Sequence, residues 1–311
     1  MGSTICVTGG AGFIGSHVAD ALLADGHRLL IVDDLSSGRK ENVPEGVELK
    51  VLDIRSPEAA ELLVERGVEI LVHHAAQMDV RRSVENPVFD ADVNLLGLLN
   101  LLEAGRRGSL RQVVFASTGG AIYGEQDVFP ADETHPERPV SPYGVAKLAS
   151  ERYLYFYHCQ YGLEVTCLRY ANVYGPRQNP HGEAGVVAIF ARKLLDGQRP
   201  VIHGDGLQTR DYVYVADVVR ANRAAIGHPG FAVYNVGTGT ETDVNRLFNL
   251  IAEAAEFGDA PSHGPGMPGE QRRSCISSDL LLEELSVAVQ TPLTEGIPST
   301  VQWFARQQSS A

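Results

Sequence analysis

The stretch Gly9-Gly-Ala-Gly12-Phe-Ile-Gly15 constrains this chain more than any other feature. It follows a short apolar run, Ile5-Cys-Val-Thr8. It leads at once into a segment from His17 whose apolar residues recur at helical spacing until Gly26 stops them. The order is strand, tight turn, helix. In the Gly10-x-Gly12-x-x-Gly15 spacing the first glycine permits the turn, the second leaves room for a pyrophosphate, and the third lets helix and strand approach. The new helix points free backbone N–H groups and the positive end of its dipole at the same place. A lone glycine motif is weak evidence, but here the next apolar run, Arg28 to Asp34, ends in acids where a ribose-binding carboxylate belongs. Asp33 can accept from ribose hydroxyls and would repel a 2′-phosphate. The residues therefore favour NAD over NADP, with Arg39 and Lys40 arguing the other way.

The construction repeats. Residues 49–53, 69–76, 110–118 and 163–173 read as strands; 56–67, 90–107 and 143–161 read as helices. Strands that are continuous apolar runs alternating with helices predict a parallel sheet covered on both faces. Beyond Pro176 the texture changes to polar glycine turns and shorter elements. The expected fold is α/β: a Rossmann-type parallel sheet with helices on both faces and a smaller C-terminal substrate-binding lobe. Residues 1–175 form the first part, revisited by about 209–240, and 176–208 with 241–311 form the lobe.

Charge narrows the function. Among 311 residues, Lys plus Arg number 26 against 39 Asp plus Glu, a balance of −13. That disfavours wrapping nucleic acid, though not a local basic pocket for a phosphorylated small molecule. No run is long and apolar enough to cross a membrane, and the four cysteines are scattered without a CxxC pair. A soluble cytoplasmic protein is expected. The pair His73-His74 lacks a convergent ligand set, so no metal is expected.

Chemistry is suggested by Tyr143-Gly-Val-Ala-Lys147, which places a phenol and an ammonium on one helical face. A nearby cation stabilises phenolate over phenol, so Lys147 is expected to lower the Tyr143 pKa and ready it as a base. Ser117-Thr118, ending the preceding strand, offers a hydroxyl for the same substrate oxygen.

Residues 8–17, 73–83, 117–124, 142–147, 168–177 and 204–218 together resemble the extended branch of the short-chain dehydrogenase/reductase superfamily, nearest its nucleotide-sugar 4-epimerases. The resemblance runs through nearly the whole chain. It implies a UDP-hexose substrate, tightly held NAD, and reversible exchange of galactose and glucose configurations by transient oxidation at C4. By motif matching, Gly9, Gly12 and Gly15, with Phe13 and Ile14, hold the pyrophosphate and Asp33 the adenosine ribose. Asp53 and Ile54 border adenine, and Ala75, Ala76, Gln77 and Asn94 line the cofactor path. Tyr143 and Lys147 are the catalytic pair, Tyr170 packs near the nicotinamide, and Asn172 touches the sugar or phosphate. Arg210 serves the diphosphate and Glu270 the uridine ribose, with Arg273 or Arg272 as further phosphate contacts. The resemblance also implies a homodimer, to which the aromatic run 152–162 could lend a face.

Three positions depart from the family's pattern. Met267 stands where an arginine is common. Gly119 stands where the catalytic hydroxyl is common, which moves that role to Thr118, with Ser117 in reserve. Ser274 replaces a bulky aromatic, leaving room for a 2-acetamido group and hence for UDP-N-acetylhexosamines. Dehydration at C6 needs an Asp-Glu pair in place of Gly119-Gly120-Ala121 and is disfavoured. UDP-uronate epimerases, sugar reductases and a noncatalytic dinucleotide-binding protein remain as rivals.

Overall fold

The computed structural model describes residues 2–180, 185–266 and 271–309. Its centre is a seven-stranded parallel sheet of β1 (Thr4–Thr8), β2 (Arg28–Asp33), β3 (Glu48–Val51), β4 (Ile70–His73), β5 (Gln112–Thr118), β6 (Glu164–Tyr170) and β7 (Phe231–Val236). The spatial order is β7-β6-β5-β4-β1-β2-β3. Chain direction across the sheet reverses between β1 and β4, and the crevice beyond the carboxyl ends there is where such sheets bind ligands.

Strand side chains alternate between faces, so each strand feeds two apolar layers. Ile5 and Val7 of β1 pack with helices Phe13–Ala24 and Val215–Ala225. Cys6 faces the other layer, formed with helices Pro57–Glu65, Gly97–Gly105 and Pro142–Tyr161. Two covered faces explain why the strands read as unbroken apolar runs. A third apolar cluster, containing Phe190, Leu247, Phe248 and Phe304, joins helices Val186–Leu195, Val244–Ala254 and Leu293–Ser309 in the later part of the chain.

Two elements differ from their sequence reading. The strand expected over 163–173 ends at Tyr170; after Ala171 the chain re-pairs, Asn172–Tyr174 lying parallel to Tyr212–Tyr214. The single helix expected over 90–107 is preceded by short helices Val80–Glu85 and Pro87–Ala91, and a π-turn over Asp92–Leu96 precedes Gly97–Gly105. Within 209–240, the helix Val215–Ala225 and β7 complete the main sheet's layers, whereas Thr209–Arg210 pairs antiparallel with Thr242–Asp243. Among the described residues, no helix is long and apolar enough to cross a membrane.

Candidate active site

The glycine turn is locked by its own backbone. Gly9 has φ +68°, and a Cβ there would stand 2.7 Å from the Ala75 nitrogen at the end of β4. A Cβ on Gly15 would stand 2.2 Å from the Gly9 carbonyl, so helix and turn close only around a bare glycine. No side chain caps the helix that starts at Phe13, and its first N–H groups face the turn. Asp33 closes β2 and organises this loop: Oδ2 accepts from Ala11 N at 3.0 Å and Oδ1 from Leu35 N at 2.9 Å. Burial pushes its carboxyl up and those backbone bonds oppose the push. With backbone bonds also from Gly12, the carboxylate still has acceptor capacity left for a ribose hydroxyl. Bare turn, uncapped helix and acidic strand end suit a pyrophosphate and ribose, so the residues present fit NAD.

Asp53 is tied to a cation, contacting Arg55 at 2.5 Å, while Arg55 also holds Asp92 at 2.6 Å. Ile54 is buried beside Gly97, so this pair forms a braced wall. Gln77 and Asn94 hold each other: the Gln77 backbone N–H donates to Asn94 Oδ1 and Asn94 Nδ2 donates to the Gln77 carbonyl, both at 2.9 Å. Asn94 sits on the π-turn, a distortion that re-aims side chains. Ala75 and Ala76 come two and three residues after β4, with Ala75 against the glycine turn.

Tyr143 and Lys147 lie in the first turns of Pro142–Tyr161, whose start is fixed by Pro142 and by Ser141 accepting from Gly144 N at 3.1 Å. Lys147 is buried and Tyr143 half-buried in the protein alone. Lys147 Nζ donates to the Ala116 carbonyl of β5 at 2.9 Å and lies 5.9 Å from the Tyr143 ring centre. The expected lowering of the Tyr143 pKa is absent here: burial pushes the phenol well above its usual range, and Asp90 adds to the push. Burial likewise pushes Lys147 down to about 8, against the opposing pull of Asp90 and Glu151. Desolvation outweighs the cation at this separation.

The two candidate hydroxyls part ways. On β5, Thr118 pairs with Tyr170 of β6 and Ser117 with Arg169, so successive side chains take opposite faces. Ser117 Oγ donates to Glu151 at 2.5 Å in a buried network, where Arg169 grips Glu151 at 2.6 and 3.0 Å and meets the Tyr123 hydroxyl at 3.0 Å. The reserve reading of Ser117 is thereby corrected, because its hydroxyl is committed to the network under the site. Thr118 ends β5, with helix Gly119–Ile122 beginning beyond it. A Cβ placed on Gly120 would lie 3.9 Å from Thr118 Oγ1 and 3.8 Å from Asn172 Oδ1, so these groups face one space. Gly119 itself is filled against Ile276, whose Cδ1 a Cβ would meet at 2.6 Å. Tyr170 stacks on His74 with 6.2 Å between centres, and its hydroxyl accepts from Asn222 Nδ2 at 2.8 Å. Burial holds His74 neutral, pushed down to about 3.

On the lobe side, Arg210 donates to the Thr209 carbonyl at 2.8 Å. Arg273 pairs with Glu241 and lies 3.8 Å over the Phe129 ring, while Arg272 pairs with Asp205 at the surface. Ser274 is buried, its N–H donating to Thr209 O at 3.2 Å. Glu270 and Met267 lie outside the described residues. Sequence reasoning missed Asp90, Glu151, Arg169 and Asp211. Glu151 continues the Tyr143–Lys147 face by one turn, and Arg169 is a cation inside an apolar strand, so both carried a signal. Buried Asp211 accepts from Thr238, Gly239 and Ile276 and ties the strand-like return 272–277 to the site.

Comparison with known proteins agrees with this layout. The model of the "NAD dependent epimerase/dehydratase family" matches residues 5–237. The UDP-glucose 4-epimerase of Thermotoga maritima, solved with UDP-glucose, is 45% identical with a TM-score of 0.96, covering 98% of this chain and 99% of that one. The UDP-glucose 4-epimerase of Thermus thermophilus, solved with NAD, is 46% identical with a TM-score of 0.91 over 97% and 98%. A UDP-N-acetylglucosamine 4-epimerase from Methanobrevibacter ruminantium is 34% identical with a TM-score of 0.92 over 99% and 100%. The glycine turn, the acid closing β2 and the tyrosine–lysine pair all fall inside the matched span, and the chain belongs to the NAD dependent epimerase/dehydratase family.

Proposed function

We infer that the chain catalyses the reversible 4-epimerisation of UDP-galactose and UDP-glucose with NAD as cofactor. The observation that carries this reading is the Tyr143–Lys147 pair, half-buried and buried respectively, with Lys147 bonded to Ala116 O near the carboxyl end of the strand that Thr118 closes. Held at the glycine turn of Gly9, Gly12 and Gly15 and by Asp33, NAD would supply reversible hydride chemistry at the sugar C4 and positive charge in the pocket. Tyr143 takes the proton from the 4-hydroxyl and later restores it; Thr118 holds that oxygen by a hydrogen bond. Lys147 spends one donor on Ala116 O and keeps two for the phenolate and a ribose hydroxyl. Burial, which raises the phenol, also strengthens any cation that reaches it. Asn172 and Arg210 anchor the sugar and diphosphate, with Glu270 and Arg273 on the nucleotide side, so that the flat 4-keto hexose can turn over without leaving.

The deciding experiment follows UDP-galactose by proton NMR without added reductant. UDP-glucose should rise to a fixed ratio, and Tyr143→Phe should abolish the exchange; no exchange with NAD supplied would reject the reading. A second substrate class is supported by the small Ser274 and by similarity to a UDP-N-acetylglucosamine epimerase. UDP-N-acetylglucosamine should therefore also be turned over, and turnover of UDP-glucose alone would remove it. The working unit in this reading is a homodimer in the cytoplasm.

A further inference from the structure

Asp90 is a buried carboxylate that the chemistry above does not use. It sits in helix Pro87–Ala91, which packs against Pro142–Tyr161, and only 1% of it is exposed. Its Oδ1 accepts from Gln77 Nε2 and Asn94 Nδ2, each at 3.0 Å. Its Oδ2 is buried and has no hydrogen-bond partner among the described residues. Burial raises the Asp90 carboxyl, and the bonds from Gln77 and Asn94 and the charge on Lys147 oppose that rise and hold the anion, which is expensive to keep in such a place. A purely structural acceptor for two amides would need no charge.

We propose that Asp90 is a positioning residue for the reaction, its fixed negative charge acting on the Lys147 ammonium and the Tyr143 phenol together. This rests on the reading of those two residues as the working pair. Other titratable groups around the pair are accounted for. Glu151, one turn beyond Lys147, is neutralised by Arg169 at 2.6 Å. His73 and His74, from the end of β4, are held neutral by burial. Cys167 of β6 is kept a thiol for the same reason. Asp90 is thus a buried anion, on a helix packed against that of the pair, with no ion pair of its own at contact distance among the described residues. It pulls the Lys147 pKa upward against desolvation and pushes the Tyr143 pKa upward with it. The first effect keeps the ammonium charged; the second keeps the resting phenol protonated until cofactor charge arrives.

Asp90→Asn is a clean test, because an amide oxygen can retain both accepted hydrogen bonds while the charge disappears. Both limbs of the kcat–pH profile for UDP-galactose should move to lower pH by about one unit, the lower end of what a nearby charge produces. Bound NAD and the thermal midpoint should stay near the wild-type values. A profile that keeps both limbs in place, at any height, would overturn the proposal. If the Asn variant does not fold, Asp90→Glu decides: the charge remains, so the limbs should stay within a few tenths of a unit, and a full-unit shift would count against it. Tyr143→Phe, run in parallel, separates this from failure of the underlying reading: an active phenylalanine variant removes the pair, whereas an inactive one with unmoved Asp90→Asn limbs removes only Asp90.

Discussion

Thr118 and Ser117 are neighbours on β5 whose hydroxyls face opposite sides of the sheet, so the same change should do opposite things at the two. If Thr118 holds the reacting oxygen as proposed, Thr118→Ala removes that hydrogen bond. It should lower kcat by about 10²-fold while the melting temperature stays put, as for loss of one transition-state donor. Ser117→Ala removes a buried bond to Glu151 and should cost about 1–2 kcal/mol in denaturant unfolding with kcat nearly unchanged. Equal kinetic losses would refute the assignment of roles. Lys147 gives a pH prediction with a definite sign. A lysine pushed down to about 8 is charged below that pH and loses its proton above it, so activity should fall as pH rises through about 8. The placement of tyrosine and lysine on one helix was legible in residue order alone. The upward push on Tyr143 was not, because it depends on how deeply the fold buries the phenol.

At the scale of elements, helix Pro142–Tyr161 is bolted to β5 and β6 by the Glu151–Arg169 pair, one turn past Lys147. Register sets this up: Ser117 lies opposite Arg169, and both reach the helix carboxylate from below the Thr118–Tyr170 row. Glu151→Ala would leave Arg169 buried without its main counter-charge and should destabilise the protein by about 3–5 kcal/mol. Arg169 also contacts Glu137, so part of its charge remains balanced. A loss below about 1 kcal/mol in urea unfolding would mean that the clamp is incidental, since breaking a buried pair costs several times that. The alternation of apolar runs and helical segments made the doubly covered sheet legible before any coordinates, since both faces of each strand had to be apolar. The π-turn at Asp92–Leu96 was not legible, because an extra residue in a helical turn leaves the apolar spacing of 93, 96, 99, 101 and 102 still readable as plain helix. The re-pairing after Ala171 was likewise hidden, since Asn172–Tyr174 continues the apolar texture of β6 while taking a different partner.

At the scale of the whole molecule, the question is what covers the outer side of the two packed helical segments 87–96 and 142–161. The aromatic run of the long helix is divided. Leu154 and Tyr157 pack inward, and Tyr155 lies edge-on to Phe231 at 5.0 Å. Phe156 remains 48% exposed, while Val88 and Leu96 on the neighbouring segment are 79% and 53% exposed. Exposed apolar side chains thus stand on both of these packed segments, and where such groups gather they mark an association surface. On the homodimer reading a second copy of this chain covers these side chains, since a two-fold contact brings the same surface of each copy together. The overall charge of −13 works against association, so apolar burial has to outweigh repulsion, and added salt should tighten the contact. Sedimentation of the unmodified protein should give the mass of two chains at micromolar concentration. Phe156→Glu with Leu96→Glu, which places four extra carboxylates in a closed two-fold interface, should give the mass of one chain with NAD still bound. A monomeric parent, or a double variant that remains dimeric, would assign this face to something other than self-association.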